Sequence, residues 1–375
     1  MHSPTARRFL GAMRKVVIIG GGLAGLTAAV RLAQTAEVTL LDARPRVGGQ
    51  ILTEWQGGLT IERGAEGFLF RSEAVPRLAA DVGLGADLIG QSVAQSYGFD
   101  GDRLSVLGPG EAASFLGFQV PPGDIGHGIR SFRRGMGSFV QALQSHLADR
   151  VELRTDTSAT VVEPHDGGFR VRLGDEALTA GGVVVATQAA DAARMLARSW
   201  PSAAALAAAS TFSIVTVELA FQRDAIAHPL DGTGFVVTER AQRDGLRACT
   251  FTSAKFAHRS PRSQALLRVF FRPQPVELTG PRALDDGAWT QRAVDGLRRV
   301  LRISAEPRSS WVSRWPAALP QFSDEHRAAV ADVEAALGGL PVVLAGSAFH
   351  GSGIDAAVRS GEDAARRLRL AVGPS

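Results

Sequence analysis

The chain contains 375 residues, 45% of them hydrophobic and 21% charged, which excludes a disordered chain and predicts a globular protein with two domains. The formal net charge is +4, but arginines are interleaved with acidic residues, so we exclude a nucleic-acid-binding surface. Cys249 is the only cysteine, which excludes an internal disulfide and fits a cytoplasmic location. We expect no metal site, and no apolar run approaches the ~18 residues that cross a bilayer.

Residues 1–13 are basic and contain no acidic residue, but they lack the apolar core of a signal peptide. Met13 is as good a starting residue as Met1. Residues 1–13 are therefore expected to form an extension outside the fold.

The next segment predicts a strand, a glycine-rich turn, a helix and a second strand that ends at Asp42. Gly20, Gly22 and Gly25 have the G-x-G-x-x-G spacing of a dinucleotide-binding turn, in which the helix N-terminus binds the pyrophosphate. Asp42 stands where an acid can accept hydrogen bonds from a ribose. The predicted cofactor residues of this unit are Gly20, Gly22, Leu23, Ala24, Gly25 and Asp42.

A second glycine segment follows directly, with the sequence DARPRVGG. Arginine neutralises the charge of a pyrophosphate, and paired glycines allow the backbone to approach a ligand closely. This combination suits a large cofactor that lies extended along the protein. Its predicted contacts are Ala43, Arg44, Arg46, Gly48 and Gly49.

Several stretches resemble the flavin-containing amine oxidase superfamily, and within it the protoporphyrinogen and coproporphyrinogen oxidase branch. They are DARPRVGG, ERGAEGFLFR from Glu62, FRRGMGSFVQALQSHL from Phe132, SRWPAALPQFSDEH from Ser313 and LAGSAFHGSGIDAAVRSG from Leu344. The resemblance implies an FAD cofactor and a flavin that carries the redox chemistry, so no catalytic side chain is assigned. It further implies cofactor contacts at Gly64, Ala65, Val162, Thr187 and Trp315.

The last of these stretches predicts a strand, a second glycine-rich turn and a helix from Ile354 to Leu370, whose apolar face faces the sheet. By the resemblance, the helix N-terminus faces the flavin and stabilises the negative charge of its reduced form. We expect Asp355 to cap this helix. The implied cofactor residues are Gly346, Ser347, Gly353, Ile354, Asp355, Ala356 and Ala357.

The chain departs from the family pattern in three places. Ser347 replaces a usual Asn, and Asp355 replaces a usual Pro. Between Tyr97 and Arg133 the family carries a multi-helix insertion that forms much of its substrate pocket, whereas this chain has a shorter, Gly- and Pro-rich segment that predicts loops. The predicted substrate contacts are Arg71, which suits carboxylates because arginine binds them bidentately, and Phe70, Phe322 and His350.

The predicted fold class is α/β, or α+β overall, with a Rossmann-like FAD-binding domain that is discontinuous in sequence. This domain is expected to comprise residues 14–72, 133–188 and 340–372. Residues 73–132 and 189–339 are expected to form a substrate domain that combines a mixed sheet with flanking helices.

Three functions remain open at this point. The first is an FAD-dependent oxidase that converts a porphyrinogen to a porphyrin in heme biosynthesis, with oxygen as the electron acceptor. The second is an amine oxidase or desaturase with a smaller substrate, and the third is a non-catalytic protein that binds FAD or a tetrapyrrole. The choice between protoporphyrinogen and coproporphyrinogen, and between a monomer and a homodimer, also stays open.

Overall fold

A computed structural model describes residues 15–112 and 128–370. The predicted extension at residues 1–13 and residues 113–127 of the shortened segment lie outside the described residues. The strands are β1 Lys15–Ile19, β2 Glu37–Leu41, β3 Thr53–Gln56, β4 Leu59–Glu62, β5 Phe68–Leu69, β6 Leu88–Gly90, β7 Tyr97–Phe99, β8 Leu104–Val106, β9 Ile129–Phe132, β10 Val151–Arg154, β11 Val161–His165, β12 Gly168–Leu173, β13 Glu176–Ala180, β14 Gly182–Val185, β15 Thr211–Gln222, β16 Gly234–Val237, β17 Leu246–Thr250, β18 Gln264–Phe271, β19 Ser309–Pro320 and β20 Val342–Leu344.

The α-helices in the described part of the chain are α1 Leu23–Leu32, α2 Ala74–Asp81, α3 Met136–Leu147, α4 Ala189–Leu196, α5 Thr252–Lys255, α6 Asp286–Leu301, α7 Asp324–Ala336 and α8 Ile354–Leu370. Short 3₁₀ helices occur between them, of which the longest is Pro201–Ala208. No helix within residues 15–112 and 128–370 is long and apolar enough to cross a membrane.

A five-stranded parallel sheet with the order β10-β2-β1-β14-β20 forms the centre of one half of the molecule, which we call the parallel-sheet half. Its strands are rich in Val, Ile and Leu because both faces are covered. Val16 and Ile18 of β1 belong to the core under α1 and α8, whereas Val17 and Ile19 belong to the core under α4 and α7. The predicted Rossmann-like arrangement is therefore confirmed.

Helix α8 packs closely on α1, as the small residues of its sequence predict. A Cβ on Gly361 would lie 2.3 Å from the Ala24 carbonyl oxygen, so only glycine allows this contact. Leu368 reaches the edge of β14, where a Cβ on Gly182 would lie 3.3 Å from its side chain. The last helix is thereby held against both the first helix and the sheet.

The second half contains a seven-stranded sheet with the order β19-β15-β18-β17-β16-β7-β8. All its pairs are antiparallel except β16 with β7. Helix α6 covers one face through Trp289, whose ring centroid lies 5.4 Å from that of Phe271. The first part of the shortened segment contributes β7 and β8 at one edge of this sheet, where we had expected loops.

The predicted domain boundaries differ from the observed packing. Helix α2 belongs to the core beneath α1, and α4 and α7 cover the other face of the parallel sheet. These helices lie within the ranges predicted for the substrate domain, residues 73–132 and 189–339. The apolar stripe of a helix predicts that one face is buried, but it does not state which sheet the helix covers.

Candidate functional site

A cavity of about 770 Å³ lies where the parallel strands end. Its wall includes Ile19 and Gly20 at the end of β1, Asp42 after β2, Thr187 after β14 and Gly346 after β20. Loops and helix N-termini meet at this edge of an open α/β sheet, which makes it the usual ligand-binding place. The volume is within the ~300–1,000 Å³ range of ligand-binding cavities.

The first glycine-rich turn brings α1 against the end of β1. A Cβ on Gly20 would lie 2.3 Å from the Ala186 carbonyl oxygen, and one on Gly25 would lie 1.9 Å from the Gly20 carbonyl oxygen. A Cβ on Gly22 would meet nothing within 4 Å, and Gly22 lines the cavity. Gly20 and Gly25 thus allow close packing, whereas Gly22 leaves room at the helix N-terminus for the pyrophosphate of FAD.

Asp42 stands at the cavity wall with a fixed carboxylate. Its Oδ2 accepts a hydrogen bond from the Gly21 backbone N–H at 2.8 Å, and its Oδ1 accepts one from the Arg44 N–H at 2.9 Å. Each carboxylate oxygen has a further lone pair that a ribose hydroxyl can use. The geometry therefore fits the ribose contact that we expected.

The two arginines of the second glycine segment have different positions. Arg44 lines the cavity. Arg46 does not, because its guanidinium donates to the carbonyl oxygens of Val47, Gly49 and Ile51 at 2.8–3.1 Å. Arg46 therefore shapes the loop from behind, which differs from the expected pyrophosphate contact.

The second glycine-rich turn carries α8 to the opposite wall of the same cavity. Gly346 and Gly353 have φ of +109° and +98°, in the region that favours glycine. The Ala357 N–H donates to the Gly353 carbonyl oxygen at 3.0 Å, so the helix begins directly after Gly353. Gly353, Ile354 and Ala357 line the cavity, which places the helix N-terminus at its wall.

Asp355 does not cap this helix, contrary to our expectation. It is the second residue of α8, and its side chain is directed toward Ser72 and Arg359 and does not line the cavity. Oδ1 accepts a hydrogen bond from Ser72 Oγ at 2.6 Å, and Oδ2 accepts one from Arg359 Nε at 2.9 Å. The carboxylate therefore joins the helix to the segment that precedes α2.

Side chains distant in sequence hold the second turn in place. Ser360 Oγ accepts a hydrogen bond from the Gly346 N–H at 2.8 Å, and His326 Nε2 donates to the Ala348 carbonyl oxygen at 2.8 Å. His350 lies 3.2 Å from Glu334 Oε1, and the hydrogen bonds of His350 and Arg367 to this carboxylate lower the pKa of Glu334 to about 2. Helix α7, which carries His326 and Glu334, thus supports the turn.

The third side of the cavity is formed by residues that the sequence did not indicate. Ala318, Leu319 and Pro320 at the end of β19 line the wall. Gln50 also lines it, and its side-chain amide donates to the Ala318 carbonyl oxygen at 2.7 Å. The cavity therefore extends from the parallel sheet to the seven-stranded sheet, and only tertiary contact creates this part of it.

The end of the cavity near β11 also differs from the expectation. Val162 is fully buried in the core and does not line the wall. Residues 157–160, which precede β11, line the wall together with Asp191 and Arg194 of α4. The loop before β11, and not the strand itself, therefore forms this part of the wall.

The predicted cofactor residues thus divide into two groups within the described chain. Those on the wall are Gly20, Gly22, Leu23, Ala24, Asp42, Ala43, Arg44, Gly48, Gly49, Ala65, Thr187, Gly346, Ser347, Gly353, Ile354 and Ala357. Those behind it are Gly25, Arg46, Gly64, Val162, Trp315, Asp355 and Ala356. Trp315 supports the wall from β19, because its indole Nε1 donates to the Arg63 carbonyl oxygen at 2.7 Å.

The predicted substrate residues are not on the wall of the cavity in the described chain. The Phe70 ring lies under the Arg130 guanidinium, with 4.0 Å between the guanidinium carbon and the ring centroid, and Arg71 follows it just outside the cavity. Phe322 packs edge-on against His326, and His350 is half-exposed beside Glu334. Phe68 and Leu69 line the wall in their place.

Comparison with known proteins gives a family and a fold. The family model described as flavin containing amine oxidoreductase matches residues 103–369, and one described as an NAD(P)-binding Rossmann-like domain matches residues 18–82. Among solved structures, a candidate protoporphyrinogen oxidase from Exiguobacterium sp. 255-15 has a TM-score of 0.80 at 22% identity and covers 95% of this chain and 98% of that chain. Cyclohexylamine oxidase from Brevibacterium oxydans has a TM-score of 0.72 at 15% identity, with 95% and 98% coverage.

Curated relatives cover nearly the whole chain. Coproporphyrinogen III oxidase of Bacillus subtilis is 24% identical and covers 94% of this chain and 97% of its own length. The enzyme of the same name from Mycobacterium leprae is 26% identical, with 96% and 99% coverage. Both alignments run over 458 positions, more than the 375 residues here, so these relatives carry segments that this chain lacks.

The family match covers more than half of the chain, and the two turns, Asp42 and the cavity fit the cofactor that this family uses. The chain therefore belongs to the flavin-containing amine oxidoreductase family and is an FAD-dependent oxidoreductase.

Proposed function

We propose that this protein oxidises a porphyrinogen to a porphyrin in heme biosynthesis, with coproporphyrinogen as the first substrate to test. The observation that carries the proposal is the continuity of the cavity from the first turn, past the N-terminus of α8, to Ala318–Pro320 of the other half. Residues along this path would hold an extended flavin, and Ala318–Pro320 and the N-terminus of α8 would then face its reacting end. Full-length similarity to proteins named coproporphyrinogen III oxidase supports the choice of substrate.

Each round would remove a hydride and a proton from the macrocycle, and repeated two-electron rounds would make it aromatic. The bound flavin supplies the hydride acceptor. We propose oxygen as the final acceptor, which takes up the two electrons and two protons and leaves as hydrogen peroxide. The proposal includes a cytoplasmic location and leaves a monomer and a homodimer equally open.

The chain's own residues would bind and orient the reactants. The N–H groups at the start of α1 would hold the pyrophosphate and Asp42 the ribose. The N-terminus of α8, at Gly353 and Ile354, would stabilise negative charge at the reacting end of the cofactor. Leu319 and Ile354 give this end of the wall an apolar surface that excludes water.

Anaerobic titration of the FAD-loaded protein tests the proposal. Coproporphyrinogen should bleach the flavin absorption, and admission of oxygen should restore it together with a porphyrin spectrum. Bleaching by protoporphyrinogen alone would change the substrate assignment. Failure of both porphyrinogens to reduce a fully loaded flavin would refute the proposed function.

An amine or another small molecule is the alternative substrate. The observation in its favour is the shortened segment after Tyr97, where the family forms much of a large pocket. Bleaching by an amine but by neither porphyrinogen would support it. Binding of FAD without reduction by any of these compounds would support a non-catalytic role.

A further inference from the structure

Six ionisable side chains are buried together between the two halves of the molecule, and the proposed chemistry does not use them. Each is at most 9% exposed. They come from the parallel-sheet half, at β4 and the loop after it, and from β15, β18 and the region of α5 in the other half. We call them the buried charge cluster, which consists of Glu62, Glu66, Glu218, Lys255, Arg259 and Arg268.

Glu66 forms the link between the acids and bases of the cluster. Lys255 Nζ donates to Glu66 Oε1 at 2.5 Å, and Arg268 Nη1 lies 3.9 Å from Glu66 Oε2. Arg259 Nη1 lies 3.4 Å from Glu62 Oε1, and Arg259 Nη2 donates to Ser131 Oγ at 2.7 Å. A cation from α5 and a cation from β18 therefore meet at one carboxylate in the loop between β4 and β5.

Stability alone gives a weak reason for such a cluster. Desolvation of buried ions offsets most of their attraction, and apolar replacements of buried pairs are often as stable. Several of these groups are also incompletely paired, because Glu218 Oε2 and Arg268 Nε make no hydrogen bond. Burial raises the pKa of Glu218 to about 8, so this acid is largely protonated at neutral pH.

The segment Arg63–Gly67 lies between the cluster and the cavity. Ala65 and Gly67 line the cavity, while the Glu66 side chain between them points away into the cluster. The carbonyl oxygens of this segment accept hydrogen bonds from the second half or from β9: Arg63 from Trp315, Gly64 from Arg268, and Glu66 from Ser131.

We propose that the buried charge cluster is a positioning device, in which Lys255 and Arg268 hold the segment Arg63–Gly67 against the cavity. A shift of Glu66 moves Ala65 and Gly67, which form the wall on either side of it. The position of the wall that faces the cofactor and substrate thus depends on the position of the seven-stranded sheet, because the cluster links the two. This inference rests on the proposed function only where the test uses a porphyrinogen.

The first test is Lys255→Met, compared with Lys255→Arg. The methionine removes the charge at similar length, so we expect bound FAD with a shifted absorption spectrum and at least tenfold slower anaerobic reduction by coproporphyrinogen. The substrate dissociation constant should change less than threefold, because the residue does not line the cavity. Lys255→Arg should recover the rate to within threefold, since it restores a cation beside Glu66.

Amide hydrogen exchange supplies a readout that needs neither substrate nor flavin. The N–H groups of Arg63 and Ala65 donate to the Leu52 and Gln50 carbonyl oxygens. Exchange of a peptide that contains these amides should become at least tenfold faster in Lys255→Met. Arg292→Met is the matched control, because Arg292 pairs with Glu277 at 2.8 Å away from this wall, and it should leave that peptide unchanged.

If Lys255→Met does not fold, the double variant E66Q/K255M replaces it. This variant removes both charges of the Lys255–Glu66 pair, and Arg268 keeps its hydrogen bond to the Gly64 carbonyl oxygen. Wild-type spectrum, exchange and reduction rate in this double variant would overturn the proposal. So would a Lys255→Met protein that only melts earlier while all three readouts match the wild type. If coproporphyrinogen reduces neither wild type nor variant, the proposed function fails, and the spectrum and exchange still decide the role of the cluster.

Discussion

The two glycine-rich turns bring helix N-termini to opposite walls of one cavity by different physical means. In the first turn, close packing requires glycine, because a Cβ on Gly20 or Gly25 would lie within 2.3 Å of a carbonyl oxygen. In the second, a Cβ on Gly353 would meet nothing within 4 Å, and the requirement is a φ of +98°. Gly20 of the first turn also has a φ of +108°, so close packing is the requirement that the first turn has and Gly353 lacks.

The turns also differ in how they are held. Residues of β2 and the loop directly after it secure the first. The Gly20 N–H donates to the Leu41 carbonyl oxygen at 2.8 Å, the Gly48 N–H donates to that of Gly21 at 2.7 Å, and the Gly21 N–H donates to Asp42 Oδ2. Side chains of α7 and α8 secure the second, through His326, Glu334 and Ser360. We therefore expect substitutions in the first turn to act by disrupting close packing. Substitutions at the second turn should act by removing the side-chain hydrogen bonds and charges that hold it.

The largest effect should follow Gly25→Ala. The new Cβ would lie 1.9 Å from the Gly20 carbonyl oxygen, so α1 must move away from β1. We expect a loss of about 3 kcal/mol or more in unfolding free energy and no stoichiometric FAD. The flavin-to-protein absorbance ratio measures FAD binding, and the thermal midpoint measures the loss of stability. The control is Gly83→Ala, because Gly83 has a positive φ and a Cβ there would meet nothing within 4 Å. Full flavin loading in Gly25→Ala would contradict the steric account.

Gly353→Ala should have a moderate effect that appears mainly in the flavin. A non-glycine residue at positive φ costs ~1–2 kcal/mol, but the space around Gly353 allows the fold to persist. We expect weaker FAD retention or a shifted reduction potential in a folded protein, and a bulky side chain at this position should increase either change. Unchanged flavin content and potential would remove the second turn from the cofactor site.

Glu334→Gln should weaken the anchor of the second turn in a pH-dependent way. The folded-state pKa of Glu334 is about 2, below its ordinary value of 4.5, so the carboxylate stabilises the fold above pH 4.5 and loses this contribution as pH falls toward 2. We expect a loss of the order of 1 kcal/mol at pH 7 that vanishes near pH 2, after allowance for partial exposure. The measurement is the thermal midpoint of the wild type and of Glu334→Gln between pH 7 and pH 2. A difference between the two midpoints that does not change with pH would show that the Glu334 carboxylate does not supply this stability.

The smallest effect should be electrostatic, at Asp355. The first turn of α1 contains no acidic residue, whereas the first turn of α8 contains Asp355, which opposes the positive end of the helix dipole. Asp355→Asn should raise the flavin reduction potential by about 10–20 mV, the equivalent of ~0.5–1 kcal/mol for two electrons. Arg359→Met should lower it, because the carboxylate then loses its cation. Shifts of the same sign in both variants would refute this reading.

Much of the dinucleotide-binding unit could be predicted because its determinants are local. A continuous apolar run, helical spacing and glycine position define β1, α1 and β2 within a short stretch, and the structure has them as expected. The resemblance likewise located Gly346 and Gly353 at the cavity wall. The substrate candidates Phe322 and His350 do not line this cavity, and their contact with substrate stays a prediction, because the direction of a side chain at a loop depends on distant neighbours.

The sequence by itself determined the family, the FAD cofactor and the two turns, because each depends on residues that are close along the chain. Only the tertiary structure decided that Ala318–Pro320 complete the cavity, that Arg46 faces its own loop, and that Lys255 meets Glu66 beneath the wall. These contacts join segments that are far apart in sequence, and their geometry follows from how the two sheets pack. Local patterns carry no information about that packing.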